Sequence, residues 1–306
     1  MANEGARKPN ADEIDLSAGE AVKAIGAKVA EISQATAYTL IKERKAPKPR
    51  PRTTRVMERV IATLEEMNGI SPTEELVWKG AKARKGITTS QKFSAFTWKT
   101  LHDGQKIGRY WLDMGESTIA ERGLCKQCPW EPTETMEHIM TQCKATGQKL
   151  IWKLAKRLWR KTGLEWIMPT MGMILGIHLA EVKGSEGKKL DGRTRLLQII
   201  ISESAYLIWL VRNEWKIEKE QDERRCHTAN EIEARWKAAI TKRLRLDWAL
   251  TNKYAHGKLA LRWSVVKRTW HNIHEPGNRR ALKTDLFESG VIVGSSSGRR
   301  PPGRNR

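Results

Sequence analysis

Cys125, Cys128, His138 and Cys143 form the pattern C-x2-C-x9-H-x4-C within residues 125–143. Thiolates and a neutral imidazole are the donors that hold Zn²⁺ tetrahedrally, and two cysteines three apart on a tight turn can face one ion. Four protein ligands leave no open coordination position, so the expected cofactor is a structural zinc ion and not a catalytic one. The alternative is three buried thiols beside a surface histidine. His138 and Cys143 are five residues apart, about 140° out of line on a continuous α-helix. A helix carrying Glu137 and His138 must therefore bend or end before Cys143. Glu134 or Glu137 is expected to hold the free imidazole nitrogen, as carboxylates behind a metal ligand often do.

Few other side chains invite chemistry. Cys226, in the charged stretch EKEQDERRCH, stands alone and reads as an unremarkable thiol. His102, His178, His227, His256, His271 and His274 lack neighbours at ligand spacing and read as surface or satisfied histidines. Glu203 interrupts an apolar face; if buried it needs a partner such as Arg212 or Arg235, and a buried ion pair is favoured over a catalytic role. Only four cysteines occur, three of them in the cluster, which argues for a reducing compartment over a disulfide framework. The N-terminal MANEGARKPNADEIDLS has no apolar core of the kind a secretory signal needs. An intracellular protein of the nucleus or cytoplasm is expected.

The formal net charge is +21, from 56 basic and 35 acidic side chains. Such an excess favours a polyanion partner, nucleic acid first, over a neutral ligand. A basic protein that merely stays soluble is the alternative. The cations expected to meet phosphate are Arg44, Lys45, Lys48, Arg50, Arg52 and Arg55 in a proline-rich stretch, and Lys237, Lys242, Arg243 and Arg245 on the polar side of a helix. Thirteen tryptophans against three phenylalanines suggest stacking on bases. Helical spacing instead assigns Trp236, Trp263 and Trp270 to a core.

The elements that must position these residues read as helices. Val22, Ile25, Val29, Ile32, Ala37, Leu40 and Ile41 are spaced for one helix or two over Ala18–Glu43. The stretch APKPRPRTTR follows, whose prolines predict an extended, solvated linker. Arg55 to Glu66 reads as a helix. Ser71-Pro72-Thr73-Glu74 then supplies an N-cap, a first-turn proline and a capping-box glutamate. Phe93, Phe96, Trp98, Leu101, Ile107 and Trp111 are expected in a core around a turn at Asp103-Gly104. Beyond the cysteines, Leu150, Leu154 and Leu158 form a stripe with Trp152 and Trp159 beside it. VKGSEGKKLDGR makes a loop, and the apolar run from Leu196 to Val211 reads as a buried helix running past Trp215, interrupted too often for a membrane span. Thr228 with Glu231 opens a helix carrying Ile232, Trp236, Ile240, Leu244 and Trp248. Leu259, Trp263, Val266, Trp270 and Ile273 share one face of a further helix. The tail GSSSGRRPPGRNR has nothing to bury and is expected to be disordered.

The segment AERGLCKQCPWEPTETMEHIMTQC resembles the zinc-binding domain that follows the reverse transcriptase in non-LTR, LINE-like retrotransposons. PTEELVWKG, QKFSAFTWKTLHDGQKIGRYW, LLQIIISESAYLIWLVRNE, EIEARWKAAITKRLRLDWALTNK and ESGVIVG look like the C-terminal region of fungal elements of this kind, so the resemblance spans about residues 55–294. The N-terminal NEGARKPNADEIDLS and ISQATAYTLIKE look like the end of the preceding RNase H domain. The resemblance implies that the catalytic carboxylates of that domain lie upstream of Met1. Glu4, Asp12, Glu13 and Asp15 occupy a polar leader and inherit no role; Cys125, Cys128, His138 and Cys143 inherit the zinc.

The expectation is a mainly α protein: an RNase H remnant over 1–45, a basic linker over 46–54, a zinc-binding domain over 55–145, a helical region over 146–294 and a tail over 295–306. It binds zinc and nucleic acid, with little sequence preference and no catalysis of its own. The rivals are an RNase H-type ribonuclease cutting RNA–DNA hybrid with two metal ions, and a host adaptor that binds proteins through its tryptophan-rich helices.

Overall fold

The computed structural model describes residues 32–45, 50–69, 71–82, 88–115, 117–144 and 147–273. The expectations for Ala18–Glu31, Lys48, His274 and the tail lie outside them. Among the described residues the secondary structure is helical, with no strand beyond two isolated bridges, Leu124 with Thr133 and Lys183 with Lys189. The chain divides into two compact units, 1–49 and 50–306. In the first, α1 (Gln34–Arg44) begins at Ser33, whose hydroxyl accepts from the Thr36 amide at 3.2 Å. Leu40 and Ile41, assigned to an apolar face, are exposed.

The second unit opens with α2 (Pro51–Asn68), where an extended linker was expected through residue 54. Proline suits the first position of a helix, because its missing N–H has no intrahelical partner there. Arg50 before it is extended, as a residue preceding proline tends to be. Arg52 and Arg55 are therefore helical side chains. In α3 (Glu74–Ala81) the cap is Thr73 and not Ser71. That choice sets both Glu74 and Glu75 in the first turn, against the positive end of the helix dipole. Ser90 caps α4 (Gln91–Leu101). Phe93, Phe96 and Leu101 are buried, but Trp98 is 52% exposed, since five residues on from Phe93 it points about 140° away.

Two short helices, α5 (Arg109–Leu112) and α6 (Ser117–Ala120), lead to the cysteines. After them come α7 (Gln148–Arg160), α8 (Met171–Gly176) and α9 (Asp191–Asn213), the last extended by a π turn at Glu214–Glu218. α9 is the centre of the unit and packs against α4, α7 and α8. Ile199, Ile200 and Ile201 are consecutive and fully buried, which requires neighbours on every side of the helix. Asp191–Glu218 has the length and composition to cross a membrane, yet its most apolar window is 72% buried within the protein, as expected of a core helix. α8 lies on α2 through two glycines: a Cβ at Gly172 would come within 2.1 Å of Thr63 Oγ1, and one at Gly176 within 2.8 Å of Leu64 Cδ1.

α10 (Ala229–Ala249), α11 (Lys253–His256) and α12 (Trp263–Trp270) complete the unit. Both α10 and α12 pack on α9. Trp236 and Trp270 are buried as expected, and Trp263 is half-buried with its ring edge-on to Trp248 at 5.3 Å. The last helix is shorter than the stripe predicts. Leu261 N donates to Leu250 O at 2.8 Å, so the chain is extended there, and Leu259 sits exposed in a 3-10 turn before the helix. Arg195 of α9 donates to both carboxylate oxygens of Asp247 at 2.5 and 2.6 Å, and Trp270 Nε1 donates to Asp247 at 2.9 Å. One buried ion pair thus joins three helices.

Glu203 faces Arg243 at 3.8 Å, and neither Arg212 nor Arg235. Arg212 lies nine residues on, about 180° round α9, and Arg235 pairs with Glu214. Burial pushes the Glu203 carboxyl above its ordinary value, opposed by Arg243 and Lys242. Thr228 caps α10 as predicted, accepting from the Glu231 amide at 3.2 Å. Thr228→Ala is expected to cost about 1 kcal/mol in urea unfolding, with Thr228→Gly costing less; equal stability of wild type and the alanine variant would show that the cap does not hold this helix.

Candidate metal centre

The four residues of the C-x2-C-x9-H-x4-C pattern meet. One donor atom from each of Cys125, Cys128, His138 and Cys143 lies within 4.8 Å of the others, and all four residues are buried. Cys125 Sγ and Cys143 Sγ are 3.7 Å apart, Cys128 Sγ and Cys143 Sγ 3.9 Å, and Cys128 Sγ and His138 Nε2 3.5 Å. This set can hold a metal ion with no position left over for a substrate.

A hairpin-like turn presents the first two cysteines. Cys125 N donates to Pro132 O at 3.0 Å and Glu134 N to Gly123 O at 2.9 Å, so residues 123–125 run beside 132–134. Glu131 N closes the tip on Cys128 O at 3.1 Å. Trp130 and Glu131, between Pro129 and Pro132, both adopt left-handed φ, 72° and 40°. Such values cost non-glycine residues on the order of 1 kcal/mol or more each, and here they leave the Trp130 indole 97% exposed. Gly108 lies under the turn; a Cβ there would strike Glu134 O at 2.6 Å.

The other two ligands require the predicted break in the helix, and it is made by widening. Met136 and Glu137 start an α turn, then His138–Gln142 form a π turn. Cys143 N donates to His138 O at 2.7 Å, an i to i+5 bond that brings residues five apart over one another. α7 takes up the Met140 carbonyl: Gln148 Nε2 and Trp152 Nε1 donate to it at 3.0 and 2.7 Å.

Neither Glu134 nor Glu137 serves the imidazole. Glu137 pairs with Arg59 at 2.6 Å. Glu134, 3% exposed at its side chain, accepts two bonds from Arg212 and one from Lys216 at 2.9 Å, and Lys216 also donates to Leu124 O at 2.7 Å. The metal-binding segment is thereby strapped to the C-terminal end of α9. Burial acts to raise Glu134, yet Arg212 and Lys216 hold its carboxyl below the ordinary value. The Cys143 thiol beside Cys125 brings Cys125 down to about 4, with burial opposing and His138 assisting. The thiolate that metal binding needs is thus favoured.

Two residues set aside as isolated lie next to this centre. Gln127 donates to Cys226 Sγ at 3.5 Å. His227 is buried, its Nδ1 2.7 Å from Glu231 and its Nε2 3.3 Å from Glu214, so it does have acidic neighbours, one of them at i+4. His178 is buried too, which lowers it to about 4.

The proposed phosphate contacts do not form one surface. Arg44 and Lys45 belong to the first unit. Arg50, Arg52 and Arg55 are exposed at the start of α2, and Lys242 and Arg245 are exposed on α10. Lys237 is half-buried and paired with Glu233 at 2.6 Å. Arg243 is a correction: it is 6% exposed, faces Glu203 and donates to Thr88 O at 3.0 Å. Helical counting assigned it to the polar side of α10, but the 88–90 segment covers that position. Sequence reasoning also passed over Trp130, Arg59 and Arg109. For Trp130 the signal was its place in PWEP, where no helical spacing applies. Comparison with protein-family models, with curated proteins and with solved structures found no match.

Proposed function

We propose that the chain is a zinc-organised nucleic-acid-binding module with little sequence preference and no catalytic activity of its own, the C-terminal part of a retrotransposon polyprotein of the fungal non-LTR kind. The observation that carries it is a closed four-ligand centre presenting a solvent-exposed tryptophan on a chain of charge +21. Zinc bonds of about 2.3 Å to sulfur and about 2.0 to 2.1 Å to nitrogen give tetrahedral edges of about 3.8 Å between sulfurs and about 3.6 Å between sulfur and nitrogen. The separations of 3.7, 3.9 and 3.5 Å suit them. Three thiolates and an imidazole favour zinc over magnesium or calcium, which prefer oxygen.

In this reading the zinc is a fastener. It holds the 123–134 turn rigid, and the turn holds out an indole on which an unpaired base can stack. Trp130 touches too little of the fold to support it. Trp130→Ala is expected to leave zinc content and melting temperature unchanged while weakening binding of a mixed-sequence single-stranded oligonucleotide by about 1 to 3 kcal/mol, roughly 5- to 150-fold. Fluorescence anisotropy at fixed salt measures this. Equal affinity in wild type and variant would leave Trp130 without a role in binding.

A further inference from the structure

A cleft of about 430 Å³ opens between α2, the α4–α5 connection, α8 and the residues just before His138. Its size falls in the range of ligand-binding pockets, roughly 300 to 1,000 Å³. Arg52, Arg55 and Arg59 reach it from α2, at spacings of three and four that put them on one face of the helix. Arg109 faces it from the first residue of α5. Only Asp103 and Glu137 oppose them in its lining, so four guanidinium groups meet two carboxylates, an excess of two positive charges.

The pairings within the cleft are weak. Arg52 is 4.0 Å from Asp103, with both side chains more than half exposed, and the Arg59–Glu137 pair at 2.6 Å is likewise exposed. Exposed pairs of this kind contribute little to stability and are readily exchanged. Arg55 and Arg109 make no ion pair among the described residues. The floor is of another character: Val60, Met171 and Leu175 are buried there, part of the close contact of α8 with α2. The cleft therefore offers planar donors at the rim and a rigid apolar surface beneath.

We propose that this cleft seats one phosphodiester of a single nucleic-acid strand, held by Arg55 and Arg109, with the attached sugar and base against the apolar floor. The inference rests on the nucleic-acid reading and gives it a place distinct from Trp130. Guanidinium is the side chain best matched to phosphate, because its fork donates two parallel hydrogen bonds to two oxygens. An acidic peptide supplies carboxylates to the same fork, but its backbone leaves the apolar floor without a planar occupant. A duplex keeps its bases stacked inside and gives the floor nothing either, so a single strand is favoured. One wall of the cleft, Thr135–Glu137, runs directly into the ligand His138, so the metal centre also fixes the shape of this site.

The test uses the full chain loaded with zinc. Arg55→Glu with Arg109→Glu is compared with Lys242→Glu and Lys258→Glu, two exposed cations outside the cleft lining, so that both double variants carry the same net charge. Anisotropy is measured with a mixed-sequence 12-nucleotide single strand, its duplex and poly-glutamate over a range of salt. The cleft variant is expected to lose at least tenfold more single-strand affinity than the control, and its salt slope to flatten by about 1.4, at about 0.7 for each of two lost phosphate contacts. Arg55→Lys with Arg109→Lys, which keeps the charge but not the fork, is expected to restore part of the loss and guards against misfolding in the glutamate variant. Equal losses in the two charge-reversed proteins would overturn the cleft while leaving nucleic-acid binding in place. A cleft variant that loses poly-glutamate but keeps the oligonucleotide would reassign the site to acidic peptide. Wild-type protein that binds no oligonucleotide at any salt would remove the nucleic-acid reading itself.

Discussion

Cys128→Ser is expected to reduce bound zinc from about one ion per chain to a small fraction of that, and to loosen the whole 123–144 segment. Structural zinc contributes about 10 to 16 kcal/mol to the folding of isolated zinc-finger peptides, and this segment has little else to hold it: one short hairpin-like turn, a π turn and the Glu134 strap. Cys128 has more than a metal bond to lose. Its sulfur also accepts from the Lys144 amide at 3.2 Å, which sets the chain direction after Cys143. A serine oxygen is too hard and too short to replace the thiolate in both tasks. The check is elemental analysis of wild type and variant together with melting curves, in which chelator lowers the wild type to the level of the variant. A variant that retains full zinc would take Cys128 out of the centre, and a melting curve indifferent to chelator would show that the metal does not support the fold.

Glu134→Gln is expected to destabilise the protein by about 3 to 5 kcal/mol at neutral pH while the four ligands keep their metal. The amide has nearly the shape of the carboxylate but leaves Arg212 and Lys216 buried without their counter-charge, and breaking such a pair costs more than the pair itself contributes. The size of the effect depends on pH. Folding holds Glu134 below its unfolded value, so its contribution is fully present well above the unfolded carboxylate value of about 4.3, declines as the pH falls past that point, and is gone once the pH drops below the folded value. Urea unfolding of both proteins at pH 7 and at pH 4 tests this, with the difference between them expected to shrink at the lower pH. Acid also strips metal from cysteine and histidine, but it does so in wild type and variant alike. A difference below about 1 kcal/mol at pH 7, or one that does not change with pH, would mean that Glu134 is not the strap described here.

The metal ligands were legible because donor type and spacing are local properties: four residues over 125–143 either suit one ion or do not. Helices were legible for the same reason. Thr228 with Glu231 and the stripe of α10 need no knowledge of the rest of the fold. What escaped the sequence depended on other segments. Arg243 counts as a surface residue until the chain at 88–90 lies over it. Glu203 finds Arg243 and not Arg212, because the face on which a partner falls is set by how α10 crosses α9. The two carboxylates assigned to His138 were near it in sequence, but each found a distant cation first, Arg59 in one case and Arg212 with Lys216 in the other. Pro51 misled in the opposite way, since a proline that forbids the interior of a helix is welcome at its first position. Trp130 was grouped with tryptophans whose exposure periodicity does decide, although it lies in a turn where it decides nothing.

The π turn at His138–Gln142 makes the metal centre sensitive to number more than to kind. Its wide turn exists because four residues, and not three, separate the histidine from the last cysteine. Exchanging Thr141 or Gln142 for other polar residues leaves that count intact. Losing either one closes the turn to ordinary α geometry and carries Cys143 about 100° round the axis, away from the other three donors. Within this stretch, a reading-frame-preserving deletion of one codon is therefore a graver lesion than most missense changes.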